Sequence, residues 1–335
     1  MTDGVAPSKL GAQPVGEAAE VVKGIYQLKL PVPFPLVFVS VYLVEGDDGW
    51  TVIDTGFDYP EAREAWEAGA RRIGLNLDRD VARIVVTHFH PDHLGLARWL
   101  QGRSGAPVCM LESEIPHSRE VWEAKGPSPF VEYLVHNGMD REFAGGAAAR
   151  MRSNLALPEE MLPLRDGEKV DLGAGAVRVT HAPGHADHQI MLHDEERRLL
   201  FAADHVMLGI TPNVGLWLDN EPGPLARYLK SISGLRGLDA ADLLVLPGHG
   251  PLFHDLAGRI DELAGHHEER LDLMSGTLGD EPSTALEVSR KVFRYTLSLY
   301  ERCFALAETL AHLEHLVAMD RAEKVEGATV GFRRA

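Results

Sequence analysis

Thr87-His88-Phe89-His90-Pro91-Asp92-His93 places three imidazoles and a carboxylate within six residues, 88 to 93. Neutral imidazole is the commonest biological ligand for zinc, and carboxylate is its usual companion. The run before it, Ala82-Arg83-Ile84-Val85-Val86-Thr87, is apolar and β-branched and reads as a buried strand. The run after it, Leu94-Gly95-Leu96-Ala97-Arg98-Trp99-Leu100, has helical spacing. The cluster therefore falls at a strand-to-helix turn, at the carboxyl end of a strand, where ligands are expected in α/β architectures. A metal-sticky tract or tag would be homopolymeric or terminal, and this stretch is neither.

His-x-His-x-Asp-His after a strand resembles the signature of the metallo-β-lactamase superfamily. Further stretches resemble that family's other motifs, in the right order. Thr51-Val52-Ile53-Asp54-Thr55-Gly56 is similar to its early strand-Asp-Thr-Gly element. Ala182-Pro183-Gly184-His185 follows the strand Val177-Arg178-Val179-Thr180, Leu200-Phe201-Ala202-Ala203-Asp204 is a strand ending in an acid, and Leu243-Leu244-Val245-Leu246-Pro247-Gly248-His249-Gly250 is a strand ending in a histidine. Taken singly, His185 and His249 read as turn residues and Asp204 as a helix N-cap. The ordered set, spanning roughly residues 21 to 256, carries the resemblance.

The resemblance implies an α/β fold, a four-layer αββα sandwich. It implies that His88, His90 and His185 bind one metal, that Asp92, His93 and His249 bind a second, and that Asp204 bridges them. Two zinc ions are expected, with iron or manganese as alternatives, and Asp92 and Asp204 are the candidate catalytic residues. Asp54 is expected behind the ligands, orienting a ligand histidine by hydrogen bond. The implied reaction is hydrolysis of a thioester or ester small molecule by a metal-bridging hydroxide. Three alternatives stand beside it: a phosphodiesterase or ribonuclease on the same metals, a persulfide dioxygenase with a single iron, and a non-enzymatic regulator that senses through the C-terminal part of the chain. The other eleven histidines read as ordinary core or surface residues.

Composition fits a soluble enzyme. A length of 335 residues suits one large core and a smaller appendage. No apolar stretch is long enough for a bilayer, and the start lacks a secretion signal, so no membrane association is expected. The two cysteines, Cys109 and Cys303, suit reduced thiols and a cytoplasmic location. A net charge of -17 argues against nucleic acid as a partner, since phosphate contact needs a basic face.

The expected organisation is a flexible tail at 1–18, a catalytic domain at 19–256 and a C-terminal domain at 257–335. In the catalytic domain Tyr59 to Ile73 reads as an amphipathic helix, and residues 112 to 162 as a helical lid broken at Gly145-Gly146. The C-terminal part reads as helices over Arg259–Met274 and Leu299–Met319, a helix capped by Ser283 or Thr284, and a hairpin turning at Glu326-Gly327. Three helices and a hairpin resemble a winged-helix module, as in the glyoxalase II-like and β-lactamase-like proteins with such a tail. From Glu281 to Ala335 eight Lys/Arg balance eight Asp/Glu, which favours packing or a homodimer through this tail over DNA. Phe34, beside Pro33 and Pro35, and Trp217 are the candidate pocket walls for a small-molecule acyl group.

Overall fold

The computed structural model describes residues 12–123, 128–151, 155–173, 175–238, 242–293 and 297–335. They fall into two compact units. The first takes in the described residues within 1–122, 154–212 and 235–259, and the second those within 123–153, 213–234 and 260–335.

The first unit is built on two sheets. Seven strands pair in chain order: β1 (Ala18–Val22), β2 (Ile25–Pro31), β3 (Phe38–Gly46), β4 (Gly49–Ile53), β5 (Val81–Val85), β6 (Val108–Leu111) and β7 (Met161–Leu164). Pairing is antiparallel from β1 to β4 and parallel from β4 to β7. Period-2 alternation sends successive side chains into two different cores. Val39, Val41 and Leu43 of β3 join Val52, Ile84, Val108 and Met110 in one core. Tyr42 and Val44 join Ile53, Val85, Cys109 and Leu111 in the other. The first core is roofed by α1 (Pro60–Arg72), with Pro60 at the start of the helix and Ala62, Ala65, Trp66 and Ala70 buried. Short helices α2 (Pro91–Leu94), α3 (Ala97–Ser104) and α4 (Glu114–Glu123) follow β5 and β6.

The second core faces the other sheet, whose strands are β8 (Lys169–Asp171), β9 (Ala176–His181), β10 (Ile190–Asp194), β11 (Leu199–Ala203) and β12 (Leu244–Pro247), in the order β12-β11-β10-β9-β8. Val177, Val179, Ile190, Leu192, Leu199, Phe201, Leu244 and Leu246 line its inner face. Each such apolar side chain, fully buried, contributes roughly 1.5–3 kcal/mol. Of the expected flexible tail, residues 1–11 lie outside the described residues. Beyond them, Gly16 N–H donates to Lys29 O at 2.7 Å, and the Gln13 amide donates to Gln27 O at 2.9 Å.

The second unit holds α5 (Ser128–His136), α6 (Arg141–Met151), α7 (Pro224–Gly234), α8 (Leu256–Ser275, from Ile260 on), α9 (Ala285–Val292) and α10 (Leu299–Ala318). A small antiparallel sheet of β13 (Ser283–Thr284), β14 (Ala322–Val325) and β15 (Gly331–Arg334) completes it, with β15 central. Thr284 caps α9 in a full capping box with Glu287, and Ser298 caps α10 in another with Glu301. One expectation is corrected. The helix α6 runs through Gly145-Gly146 instead of breaking there, because Ala144, Ala147 and Ala148 bury one face and packing overrides weak propensity. Among the described residues no helix is long and apolar enough to cross a membrane.

Candidate metal centre

Every sequence motif ends at the same edge of the first unit. Asp54 follows β4, His88 to His93 follow β5 and form α2, His185 follows β9, Asp204 follows β11 and His249 follows β12. The fold brings all seven candidate ligands together. Three groups have ligand atoms within 4.8 Å of one another: His88, His90 and His185; His88, His93 and Asp204; and Asp92, His93 and His249. Asp204 reaches both ends of this constellation. Its Oδ2 lies 3.6 Å from His185 Nε2 and 3.4 Å from His249 Nε2, and its Oδ1 lies 3.4 Å from His93 Nε2. Asp92 Oδ2 is 3.1 Å from His249 Nε2.

The backbone is specially shaped at two of these strand ends. Asp54 has φ 61° and Ala203, just before Asp204, has φ 46°, both in the left-handed region that non-glycine residues avoid. At Ala203 the β11–β12 register also slips. Such conformations cost about 1–3 kcal/mol and persist where the surroundings enforce them.

Acceptors behind the histidines fix their ring orientations. Asp54 accepts from Thr87 N–H at 2.8 Å, from the Thr87 hydroxyl at 2.9 Å and from His93 Nδ1 at 2.8 Å. The Thr87 hydroxyl, having donated to Asp54, accepts from His88 Nδ1 at 3.0 Å. His249 Nδ1 donates to Phe38 O at 2.6 Å. In all three rings the other nitrogen, Nε2, is therefore the one turned toward the cluster, the orientation that metal-binding histidines take.

The electrostatics call for a cation. Three carboxylates, Asp54, Asp92 and Asp204, are buried here. Burial alone would raise Asp204, but His249 and His93 hold its carboxyl well below the usual range, and Asp92 is lowered in the same way by His93 and His249. In return the carboxylates overcome burial to push His249 up to about 10 and His93 well above its ordinary value. At the other end burial, and then repulsion among the clustered imidazoles, lowers His88 and brings His90 down to about 3. His93 Nε2 and Asp204 Oδ1 face each other with no hydrogen-bond partner at either atom. Buried polar atoms left so are costly, and a divalent ion between them would satisfy both. The donor set therefore fits one or two metal ions.

Several contributors carry no legible sequence signal. Alternate residues of β3 hold the loop that bears His249: Ser40 N–H donates to Gly248 O at 2.6 Å, and the Tyr42 hydroxyl donates to Pro247 O at 2.7 Å. Arg259 donates to Met207 O at 2.7 Å and Ile210 O at 2.9 Å, fixing the segment after Asp204. His205 is fully buried, and burial lowers it to about 3. Of the two expected pocket residues, Phe34 sits in the first unit with its ring edge-on to Phe57 at 5.9 Å. Trp217 sits in the second unit, between Phe130 at 6.2 Å and Phe304 at 5.3 Å.

Residues 34–249 match the family described as Metallo-beta-lactamase superfamily. The chain belongs to that superfamily. Residues 271–335 match a second family, Metallo-beta-lactamase-like, C-terminal domain. The superfamily is one of metallo-hydrolases. A Bacillus subtilis protein named probable metallo-hydrolase YqjP is 26% identical over 319 residues, covering 92% of this chain and 97% of that protein. The human protein named acyl-coenzyme A thioesterase MBLAC2 is 30% identical over 246 residues, covering 68% of this chain and 78% of that protein. A metallo-beta-lactamase family protein of Thermus thermophilus matches in structure with a TM-score of 0.83 at 33% identity, covering 94% of this chain and 100% of that one.

Proposed function

We propose that this chain is a dinuclear metal-dependent hydrolase of a small-molecule thioester or ester, with acyl-coenzyme A thioesters as the first substrates to test. The observation that carries the reading is the two-sided reach of Asp204, whose Oδ2 is within 3.6 Å of His185 and 3.4 Å of His249. One carboxylate facing two separate ligand groups suits two cations rather than one. His88, His90 and His185 would hold the first, Asp92, His93 and His249 the second, and Asp204 both. Zinc fits a set of neutral imidazoles and carboxylates.

When bound, the two ions supply Lewis acidity toward a carbonyl and lower the pKa of bound water toward neutrality. The protein's own groups do the rest. Asp92 and Asp204, buried carboxylates that between them reach both ligand groups, would accept hydrogen bonds from an attacking water and orient it. Asp54 keeps His93 in a single orientation, and Phe38 O does the same for His249. The human relative's name supports a thioester over other acyl compounds. The C-terminal part, in this reading, is a winged-helix-like module used for packing or homodimer formation, and the protein works in the cytoplasm.

The test is a hydrolysis panel on metal-loaded protein, covering acyl-coenzyme A thioesters, a simple ester and a phosphodiester, with released thiol read colorimetrically. Thioester turnover that vanishes in Asp204→Ala is expected. Turnover of the phosphodiester alone, or oxygen consumption on a persulfide with one iron per chain, would overturn the reading.

A further inference from the structure

His88 and His90 are separated by one residue, Phe89, which lies between the end of β5 and the start of α2 and belongs to neither a strand nor a helix. Its peptide groups have no ladder to join, and buried backbone groups require partners. Both partners come from α4. A Glu114 carboxylate oxygen accepts the Phe89 N–H at 2.6 Å, and the Trp122 indole N–H donates to the Phe89 carbonyl at 2.9 Å. A third α4 residue, His117, packs edge-on against the Phe89 ring at 4.8 Å. The carboxylate is deeply buried, with Glu114 1% exposed. Burying an ionised carboxylate is expensive unless its hydrogen bonds are strong, and the short contact to Phe89 N–H has the length of a charge-assisted bond.

The consequence falls on the ligand pair. His88 Nε2 and His90 Nδ1 lie 3.0 Å apart, and the only covalent path between the two residues runs through the Phe89 peptide groups. A rotation of that segment moves the two rings relative to each other. We propose that α4 is a clamp on Phe89, with Glu114 and Trp122 acting as positioning residues that set the His88–His90 spacing and hence the cation affinity of the His88–His90–His185 group. This rests on the metal-centre reading above, and neither residue touches the reacting atoms.

The test is equilibrium titration of metal-stripped protein with Zn(II) against a chelating indicator, with the Co(II) absorption spectrum as a second readout. In Glu114→Ala one of the two binding steps should weaken by about 10–100-fold, the usual effect of losing a group behind a metal ligand. The other step should stay within about threefold. Glu114→Gln keeps an oxygen that accepts from Phe89 N–H and should restore the weakened step, which a merely structural loss would not explain. Trp122→Phe keeps an aromatic ring of smaller size and removes the indole N–H donor; it should weaken the same step and shift the Co(II) spectrum, and it carries the test if Glu114→Ala does not fold. Wild-type affinity at both steps in Glu114→Ala and Trp122→Phe, or equal weakening of both steps, would overturn the clamp while leaving the metal centre standing. Wild-type protein that takes up no metal would overturn the underlying reading and the clamp with it.

Discussion

Gly248 offers the sharpest perturbation of the centre. Its φ is not in the left-handed region, so alanine suits its backbone and only space decides the outcome. A Cβ there would collide with Asp204 Oδ1 and lie 2.9 Å from His93 Cε1 and 3.3 Å from the Ala203 carbonyl carbon. The Ala203 backbone is held by its own hydrogen bond, Gly248 N–H to Ala203 O at 2.7 Å, and the His93 ring by Asp54 at 2.8 Å. Asp204 is thus the group that must move, by on the order of 1 Å in a close-packed interior. Overpacking of this kind costs about 1–3 kcal/mol of stability, and a 1 Å displacement of a catalytic group can lower turnover by about 100-fold. Because Asp204 faces both ligand groups, Gly248→Ala should weaken both metal-binding steps rather than one. The assay is Zn(II) titration of the stripped variant, followed by turnover at saturating metal and a thermal melt. Wild-type affinity at both steps together with wild-type turnover would refute the bridging placement of Asp204.

Asp54→Ala removes the acceptor that fixes His93 and leaves Thr87 N–H unsatisfied; metal affinity should fall about 10–100-fold, with Asp54→Asn milder because asparagine tolerates positive φ; unchanged affinity in Asp54→Ala would argue against the assigned role. Gly145→Ala in α6, where an added Cβ meets nothing within 4 Å, should raise stability by about 0.5–1 kcal/mol in urea unfolding, and a loss would mean that the glycine serves the packing. The buried pair His267 and His312, joined at 3.1 Å, should make the fold acid-sensitive. Burial, and then each other's charge or that of nearby cations, holds His267 near 3 and His312 near 4, whereas both titrate near 6.5 in an unfolded chain. Below pH 6.5 the unfolded state therefore binds protons that the folded state refuses, removing about 2 kcal/mol per histidine by pH 5. Urea midpoints of wild type and His312→Gln between pH 7 and 5 check this, and parallel curves would contradict it.

The first unit was readable because its strands are built on apolar, often β-branched runs and the candidate ligands stand just past their ends. Thr87 to His93 announces itself by residue type alone, and Asp54, His185, Asp204 and His249 each follow such a run. What supports them was not readable, because it is tertiary. Glu114 reads as an ordinary acid in a first helical turn, and only folding sets it against Phe89. The acceptor for His249 is the carbonyl of Phe38, a group every residue has. Tyr42 and Ser40 read as strand residues until β3 meets the loop at Pro247 and Gly248. The misplaced break at Gly145-Gly146 has the opposite cause: local propensity argued for a stop, and the buried alanines of α6 outweighed it. Trp217 was legible as an aromatic candidate, but its neighbours Phe130 and Phe304 come from distant sequence.

The most direct measurement is the number of divalent ions bound per chain, by elemental analysis of protein loaded with Zn(II) and freed of excess, in wild type and Asp204→Ala. Two per wild-type chain, with occupancy lost in the variant, is the expected result. A single ion per wild-type chain, unchanged by Asp204→Ala, would contradict the dinuclear centre.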